Sequence, residues 1–283
     1  MARWKRGVCG IKKLIIDGTS HILFVDKNEH RGNWLWRQSG VTKRLVTSLW
    51  QSAASGFLPS TIIDVGANYG EIVFSALYVP KANIIAIEAN RVLLPYLLKS
   101  ASKHPNRKQM KIICALASDA EESDKTFYIN RLSTGRSSAI PLSPRNMLET
   151  TVPSMRIDSL FHGMELSKER LLFKIDVEGY EYFVIRGMDN LLQGCESCIG
   201  IIECDSKYIR KSGIGLDEFL TFLQSAFNVF LPISAQQLLA FDPLTSSSLQ
   251  QHFNSEIFHT DLLLVSPNLN IERLGFNVSL QTY

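Results

Sequence analysis

The chain has 283 residues, of which 45% are hydrophobic and 20% charged, with a formal net charge of +3. That is enough apolar material for a full core, and α/β folds of roughly 200–250 residues commonly form one domain. So small a charge gives no reason to expect a nucleic-acid or membrane partner.

No segment reaches the roughly 18 consecutive apolar residues of a membrane helix. Arg3, Lys5, Arg6, Lys12 and Lys13 crowd the N-terminus. Lys12 and Lys13 interrupt any signal-peptide core and no small-residue cleavage site follows, so a solvated tail and a cytoplasmic enzyme are expected. The cysteine count is odd, at five, which argues against a disulfide framework. Cys195-x-x-Cys198 has Cys204 nearby, but a structural zinc site needs four ligands, usually as two such pairs. Cys9 and Cys114 are distant in sequence, so buried free thiols are expected.

Residues 1–58 read as an N-terminal module, either a cap or part of the same domain, ahead of a main domain over 59–283. Ile22 to Val25 is a short strand, and Trp34 to Ala54 suits a helix. Gly56 and Pro59 then punctuate the approach to the first core strand. The module either caps a substrate cleft or covers a sheet edge.

Thr61-Ile62-Ile63-Asp64-Val65 reads as a buried strand ending at an acid, and Gly66-Ala67-Asn68-Tyr69-Gly70 as a tight turn that opens a helix over 69–78. The next apolar run, Ile84-Ile85-Ala86-Ile87, ends in Glu88. Strand, glycine loop, helix and an acid-tipped strand make a nucleoside-binding βαβ unit. Glycine lets backbone approach a ligand closely, and an acid at the second strand tip can accept from both ribose hydroxyls.

The loop's details select among ligands. A P-loop needs a lysine for the phosphates, and none lies between Ile62 and Val79. A dinucleotide fingerprint needs G-x-G-x-x-G, but Asn68 and Glu71 stand at its second and third glycines. A carboxylate at the helix start would oppose a pyrophosphate. S-adenosylmethionine has a ribose, no phosphate and a positive sulfonium, which suits an acid-flanked loop.

The alternation continues with strands at 84–88, 111–115, 171–176 and 198–203 and helices at 91–103, 179–192 and 215–226. Continuous apolar runs such as Leu171-Leu172-Phe173 suit parallel strands covered on both faces. Together these predict a doubly wound, Rossmann-like, mostly parallel sheet. Residues 116–157 break the pattern. Thr126 to Ile129 alternates like a strand, and Asn130 to Arg145 forms a long aperiodic loop.

Asp64 through Gly70 resembles the cofactor loop of FkbM-type methyltransferases. Phe173-Lys174-Ile175-Asp176-Val177-Glu178-Gly179-Tyr180-Glu181 resembles their second signature. Met155 to Leu160 and Ile201-Ile202-Glu203 are similar to two shorter family segments. The resemblance runs from about Ile22 to about Val265. It implies methyl transfer from S-adenosylmethionine, usually to a hydroxyl oxygen of a sugar or secondary metabolite. It also implies that Val229-Phe230-Leu231 and Leu262 to Val265 form an antiparallel edge hairpin.

On this reading Asp64, Gly66, Ala67, Asn68, Gly70 and Glu88 hold the cofactor, and Ala115 and Leu116 lie beside its adenine or in ordinary core. Ligands on open α/β sheets sit at the carboxyl ends of strands, where Asp176 and Glu203 also fall. Asp176 is the first choice for binding or deprotonating an acceptor hydroxyl and Glu178 the second; positioning alone is the alternative. Asp176 and Glu203 could share a magnesium ion, though a metal-free site is preferred. Arg136, Ser137 and Ser138, with Glu203, are candidate acceptor contacts, within a loop that is either a lid or a solvated excursion. His104, His162, His252 and His259 are expected to be surface or structural. The acceptor is a small molecule or glycan. A cofactor-binding protein without catalysis and a nicotinamide oxidoreductase are the competing functions.

Overall fold

A computed structural model describes residues 10–143 and 145–282. Arg3, Lys5, Arg6, Cys9 and the loop residue Pro144 lie outside them. The described chain opens on a hairpin of β1 (Ile11–Ile15) and β2 (Ile22–Asp26), followed by α1 (His30–Arg37) and α2 (Arg44–Phe57). The single helix expected over 34–54 is thus two. Ser39 and Gly40 divide them with φ of 50° and 77°, which no right-handed helix accommodates.

The main body runs through β3 (Thr61–Val65), β4 (Asn83–Ile87), α3 (Leu94–Ala101) and β5 (Met110–Ile113). A small excursion follows, β6 (Leu116–Ala117), β7 (Glu122–Asn130) and β8 (Met147–Met155). The chain returns through β9 (Arg170–Ile175), α4 (Glu181–Arg186), α5 (Asp189–Gly194), β10 (Ser197–Asp205), α6 (Ser206–Lys211) and α7 (Leu216–Ala226). It closes with β11 (Asn228–Pro232), β12 (Gln237–Asp242), α8 (Ser246–Phe253), β13 (His259–Val265) and β14 (Asn277–Thr282).

Nine strands form one sheet in the order β14-β12-β11-β13-β10-β9-β3-β4-β5. β10, β9, β3, β4 and β5 are mutually parallel, while β13 runs antiparallel to β10 and β11. This is the doubly wound, mostly parallel sheet expected. Alternate residues feed opposite layers, as a period of two requires. Ile63, Val65 and Phe173 join one apolar cluster, and Ile62, Leu172 and Ile199 the other. Trp50, Leu49 and Phe57 of α2 sit in that second cluster, so residues 10–58 share the core of the sheet.

Four expectations need correction. The helix over 69–78 is absent apart from a 3-10 turn at Val73–Ser75. Side chains take the carbonyls that a continuing helix would use: Tyr78 Oη donates to Val73 O at 2.7 Å, Gln51 Nε2 to Ser75 O at 3.0 Å, and His21 Nδ1 and His104 Nε2 bond Phe74 O and Ala76 O. The chain therefore reaches β4 with its buried carbonyls satisfied and no further turn. The third strand ends at Ile113, and Leu116–Ala117 leaves to pair with β8. The helix over 179–192 breaks near Gly187, where a Cβ would meet Ser118 O at 2.0 Å. β11 and β13 do pair, but β12 and β14 extend the sheet beyond them, so that hairpin is not the edge. Among the described residues no helix is long and apolar enough to cross a membrane.

Candidate active site at the strand tips

The glycine loop is built by packing against the neighbouring strand. Gly66 has φ +71°, and a Cβ there would meet Asp176 O at 2.0 Å. Glycine at 66 thus lets β3 and the second signature turn away from each other in contact. The Gly66 and Ala67 amides donate to Ile87 O at 3.0 and 3.1 Å. Asn68, at φ +52°, donates its amide to Glu88 Oε2 at 2.7 Å, and the Asn90 amide donates to Oε1 at 2.8 Å. Burial pushes the Glu88 carboxyl up to about 7, with these two amides opposing. Gly70, at φ +87°, packs on Phe74 and is a turn residue; it does not line the cavity.

A cavity of about 790 Å³ opens over these tips. Asp64, Gly66, Ala67, Asn68 and Glu88 line it together with Ala115 and Leu116. The same cavity reaches Asp176 and Glu178 in the turn after β9, Glu203 on β10, and His259 at the start of β13. Arg136 and Ser137 border it. Ser138 does not: its hydroxyl donates to Glu178 O at 2.9 Å and pins the loop to the second signature.

Charge is organised around two lysines. Lys174 is buried in β9 opposite Asp64, with Nζ 3.1 Å from Asp176 Oδ2 and 3.8 Å from Asp64 Oδ1. Lys43, the residue before α2, donates Nζ to Asp176 Oδ2 at 2.9 Å, Glu203 Oε1 at 3.0 Å and Asp261 Oδ1 at 3.4 Å. Burial works against both ammonium charges, but Asp176 and its neighbours outweigh it and raise both lysines above their ordinary value. For Asp176, burial raises the carboxyl, but Lys174 and Lys43 prevail and hold it well below the usual carboxylate range. Asp64, with neither oxygen hydrogen-bonded, is raised by burial to about 6 against the pull of Lys174.

Glu178 differs from Asp176. It adopts φ +58°, and among the described residues no cation lies within salt-bridge distance of its carboxyl. Burial, then Glu203 and Asp176, push it well above the ordinary value. Glu203 is buried and accepts from Lys43 and from His259 Nε2 at 2.9 Å. That contact raises His259, whose side chain is 52% exposed. Carboxylate oxygens of Asp176, Glu178 and Glu203 lie within 4.8 Å of one another, and the Lys43 ammonium already bridges two of the three.

The 130–146 connection is not free-standing. It joins the antiparallel β7 and β8 and contains a 3-10 turn at Thr134–Arg136. The Thr134 amide and hydroxyl donate to the Glu29 carboxylate, each at 3.2 Å. Tyr69 Oη also donates to Glu29, at 2.9 Å. One acid at the head of α1 therefore ties this connection to the glycine loop. Reading the sequence missed Lys43, Lys174, Glu29 and His259. A lysine inside the apolar run Leu171–Ile175 was itself a signal, since lysine is almost never fully buried unless paired.

A mostly parallel sheet with an acid-flanked glycine loop at its switch point and carboxylates at the ends of the next strands is an α/β architecture of the methyltransferase type. The family profile described as Methyltransferase FkbM domain matches residues 64–227. The chain belongs to the FkbM methyltransferase family. A comparison with curated proteins found no match. Among solved structures, the chain is similar to the O-methyltransferase TomG of Streptomyces achromogenes, at 8% identity and TM-score 0.43 over 80% of this chain and 81% of that one. An O-methyltransferase of Bacillus cereus gives 7% and 0.44, covering 80% and 81%. Methyltransferase FkbM of Methylobacillus flagellatus gives 13% and 0.42, covering 83% of this chain and 48% of that one.

Proposed function

We propose that this chain methylates a hydroxyl oxygen of a small-molecule or glycan acceptor. One observation carries the reading: a single cavity shared by nucleoside-type groups from the β3, β4 and β5 tips and a carboxylate cluster from the turn after β9 and from β10, with His259 of β13 beside it. The donor set fits S-adenosylmethionine. Glu88 is an acid at the ribose position, the loop has no lysine for phosphates, and Asp64, ion-paired only at 3.8 Å with Lys174, keeps buried oxygens without a hydrogen-bond partner that suit a cationic ligand.

When bound, the cofactor supplies an electrophilic methyl group. Glu88 would accept from the ribose hydroxyls, with Gly66, Ala67 and Asn68 giving close backbone and Ala115 and Leu116 flanking the adenine. Asp176, kept ionised by Lys43 and Lys174, is a weak base and a strong hydrogen-bond acceptor. Its role is to hold the acceptor hydroxyl in line. Glu178, whose carboxyl is pushed up, is the stronger base in its ionised form, and in that form takes the hydroxyl proton. This reverses the order in which the two acids rank by sequence. Glu203 and the half-exposed His259 then offer the proton a route to solvent. Arg136 and Ser137 border the acceptor's side of the cavity, and Ser138 supports them.

Calorimetry tests the assignment. S-adenosylmethionine and S-adenosylhomocysteine should bind and NAD should not; NAD binding would favour a nicotinamide enzyme. Binding without methyl transfer to any hydroxylated acceptor would favour a non-catalytic protein.

A further inference from the structure

The cavity holds a pair of opposite charges that no step above uses. Arg31, on α1, reaches over the glycine loop and forms an ion pair through Nη2 with Glu71. Both side chains line the cavity, at 12% and 7% exposure. Neither is satisfied by the other. Arg31 Nε and Glu71 Oε2 are buried with no hydrogen-bond partner, and nearby Asp64, which has Lys174 Nζ at 3.8 Å, likewise accepts no hydrogen bond. Leaving such charged atoms unpaired is costly. The Trp34 ring lies 5.3 Å from the guanidinium and Gly135 packs on its stem, so the arginine is held in place without that debt being met.

We infer that Arg31 and Glu71 form a clamp for a zwitterionic aminocarboxylate, with Arg31 Nε donating to its carboxylate and Glu71 Oε2, aided by Asp64, accepting from its ammonium. The inference rests on the reading of the cavity as an S-adenosylmethionine site and assigns that ligand's amino-acid end. A guanidinium presents several donors in a rigid fork, so it can keep Glu71 on one edge and take a carboxylate on another. An ion pair with a spare donor and a spare acceptor matches a ligand whose ammonium and carboxylate share one carbon, and its balanced charge favours neither a simple anion nor a simple cation. The N-terminal module then completes the cofactor pocket, which the main domain alone would leave open at this end.

The test compares two ligands on the full chain. S-adenosylhomocysteine carries the aminocarboxylate; 5′-methylthioadenosine keeps the adenosine and the thioether but lacks it. Arg31→Gln should weaken S-adenosylhomocysteine at least about tenfold, as loss of a charged hydrogen bond does, and leave methylthioadenosine within about twofold. Arg31→Gln also leaves Glu71 buried and unpaired, so the double variant Arg31→Gln with Glu71→Gln provides a neutral pair should the single one fail to fold. It should lose the same preference. Equal affinities for S-adenosylhomocysteine in wild type and either folded variant would overturn the clamp, as would equal losses for both ligands. Failure of the wild type to bind either ligand would instead overturn the cofactor assignment on which the clamp rests.

Discussion

Lys43 Nζ lies 2.9 Å from Asp176 Oδ2 and 3.0 Å from Glu203 Oε1, so a residue of the N-terminal module neutralises an acid of the second signature and one on the next strand. Lys43→Met would leave buried Glu203 and the partly buried Asp176 and Asp261 with one cation fewer. The expected cost is about 2–4 kcal/mol of unfolding free energy, at or below that of breaking a fully buried pair because solvent reaches 23% of the lysine side chain. Urea denaturation measures it. A change under roughly 0.5 kcal/mol would mean that the lysine is only a surface charge.

Gly66 tests the contact between the two signatures. Gly66→Ala must place a methyl group against Asp176 O at a positive φ, for an expected loss of at least about 2 kcal/mol. Gly213→Ala is the control. It has φ +90° but nothing within 4 Å, so it should cost only about 1 kcal/mol of backbone strain. Equal losses would show that the close approach is unimportant.

Glu88 makes both stability and cofactor binding depend on pH. Its folded carboxyl is raised from an ordinary 4.5 to about 7, mainly by burial. The native state therefore binds the proton more tightly than the unfolded chain, and this group's contribution falls as pH rises from 4.5 to about 7. Asp64 acts in the same direction up to about 6. Glu88→Gln should stabilise the ligand-free protein at pH above about 7 and change little near pH 4. Ribose hydroxyls need the ionised acid, so wild-type affinity for S-adenosylhomocysteine should weaken by up to about tenfold per pH unit below about 7. A pH-independent wild-type Kd would remove Glu88 from the ribose.

Sequence gave access to what is local. The apolar run Thr61 to Val65, the acid at Glu88 and the parallel strands follow from short patterns, and each falls within a residue or two of its expected place. The helix over 69–78 failed because its carbonyls are taken by His21, Gln51, Tyr78 and His104. Three of those four lie more than twenty residues away in sequence from the carbonyls they bond. Lys43 is 133 residues from Asp176, so no spacing rule could join them. Ser138 reads as a ligand contact in sequence, yet it is a bracket for the Glu178 carbonyl.

The acceptor-side acids separate by kinetics. Glu178→Gln should lower kcat by about 100-fold or more with little effect on cofactor affinity, in line with loss of a general base. Asp176→Asn should raise KM for the acceptor as well, and should destabilise the fold because Lys43 and Lys174 lose their shared carboxylate charge. The opposite pattern, with Asp176→Asn harming only kcat and Glu178→Gln silent, would restore Asp176 as the base.

The most direct measurement uses S-adenosylmethionine bearing a deuterated methyl group. The protein is incubated with it and with extracted small molecules and glycans, and the labelled product is located by mass spectrometry. The expected result is one class of acceptor carrying the intact deuterated methyl on a hydroxyl oxygen with wild-type protein, and almost none with Glu178→Gln. Label on nitrogen or carbon, or equal labelling by the two proteins, would contradict the proposed chemistry.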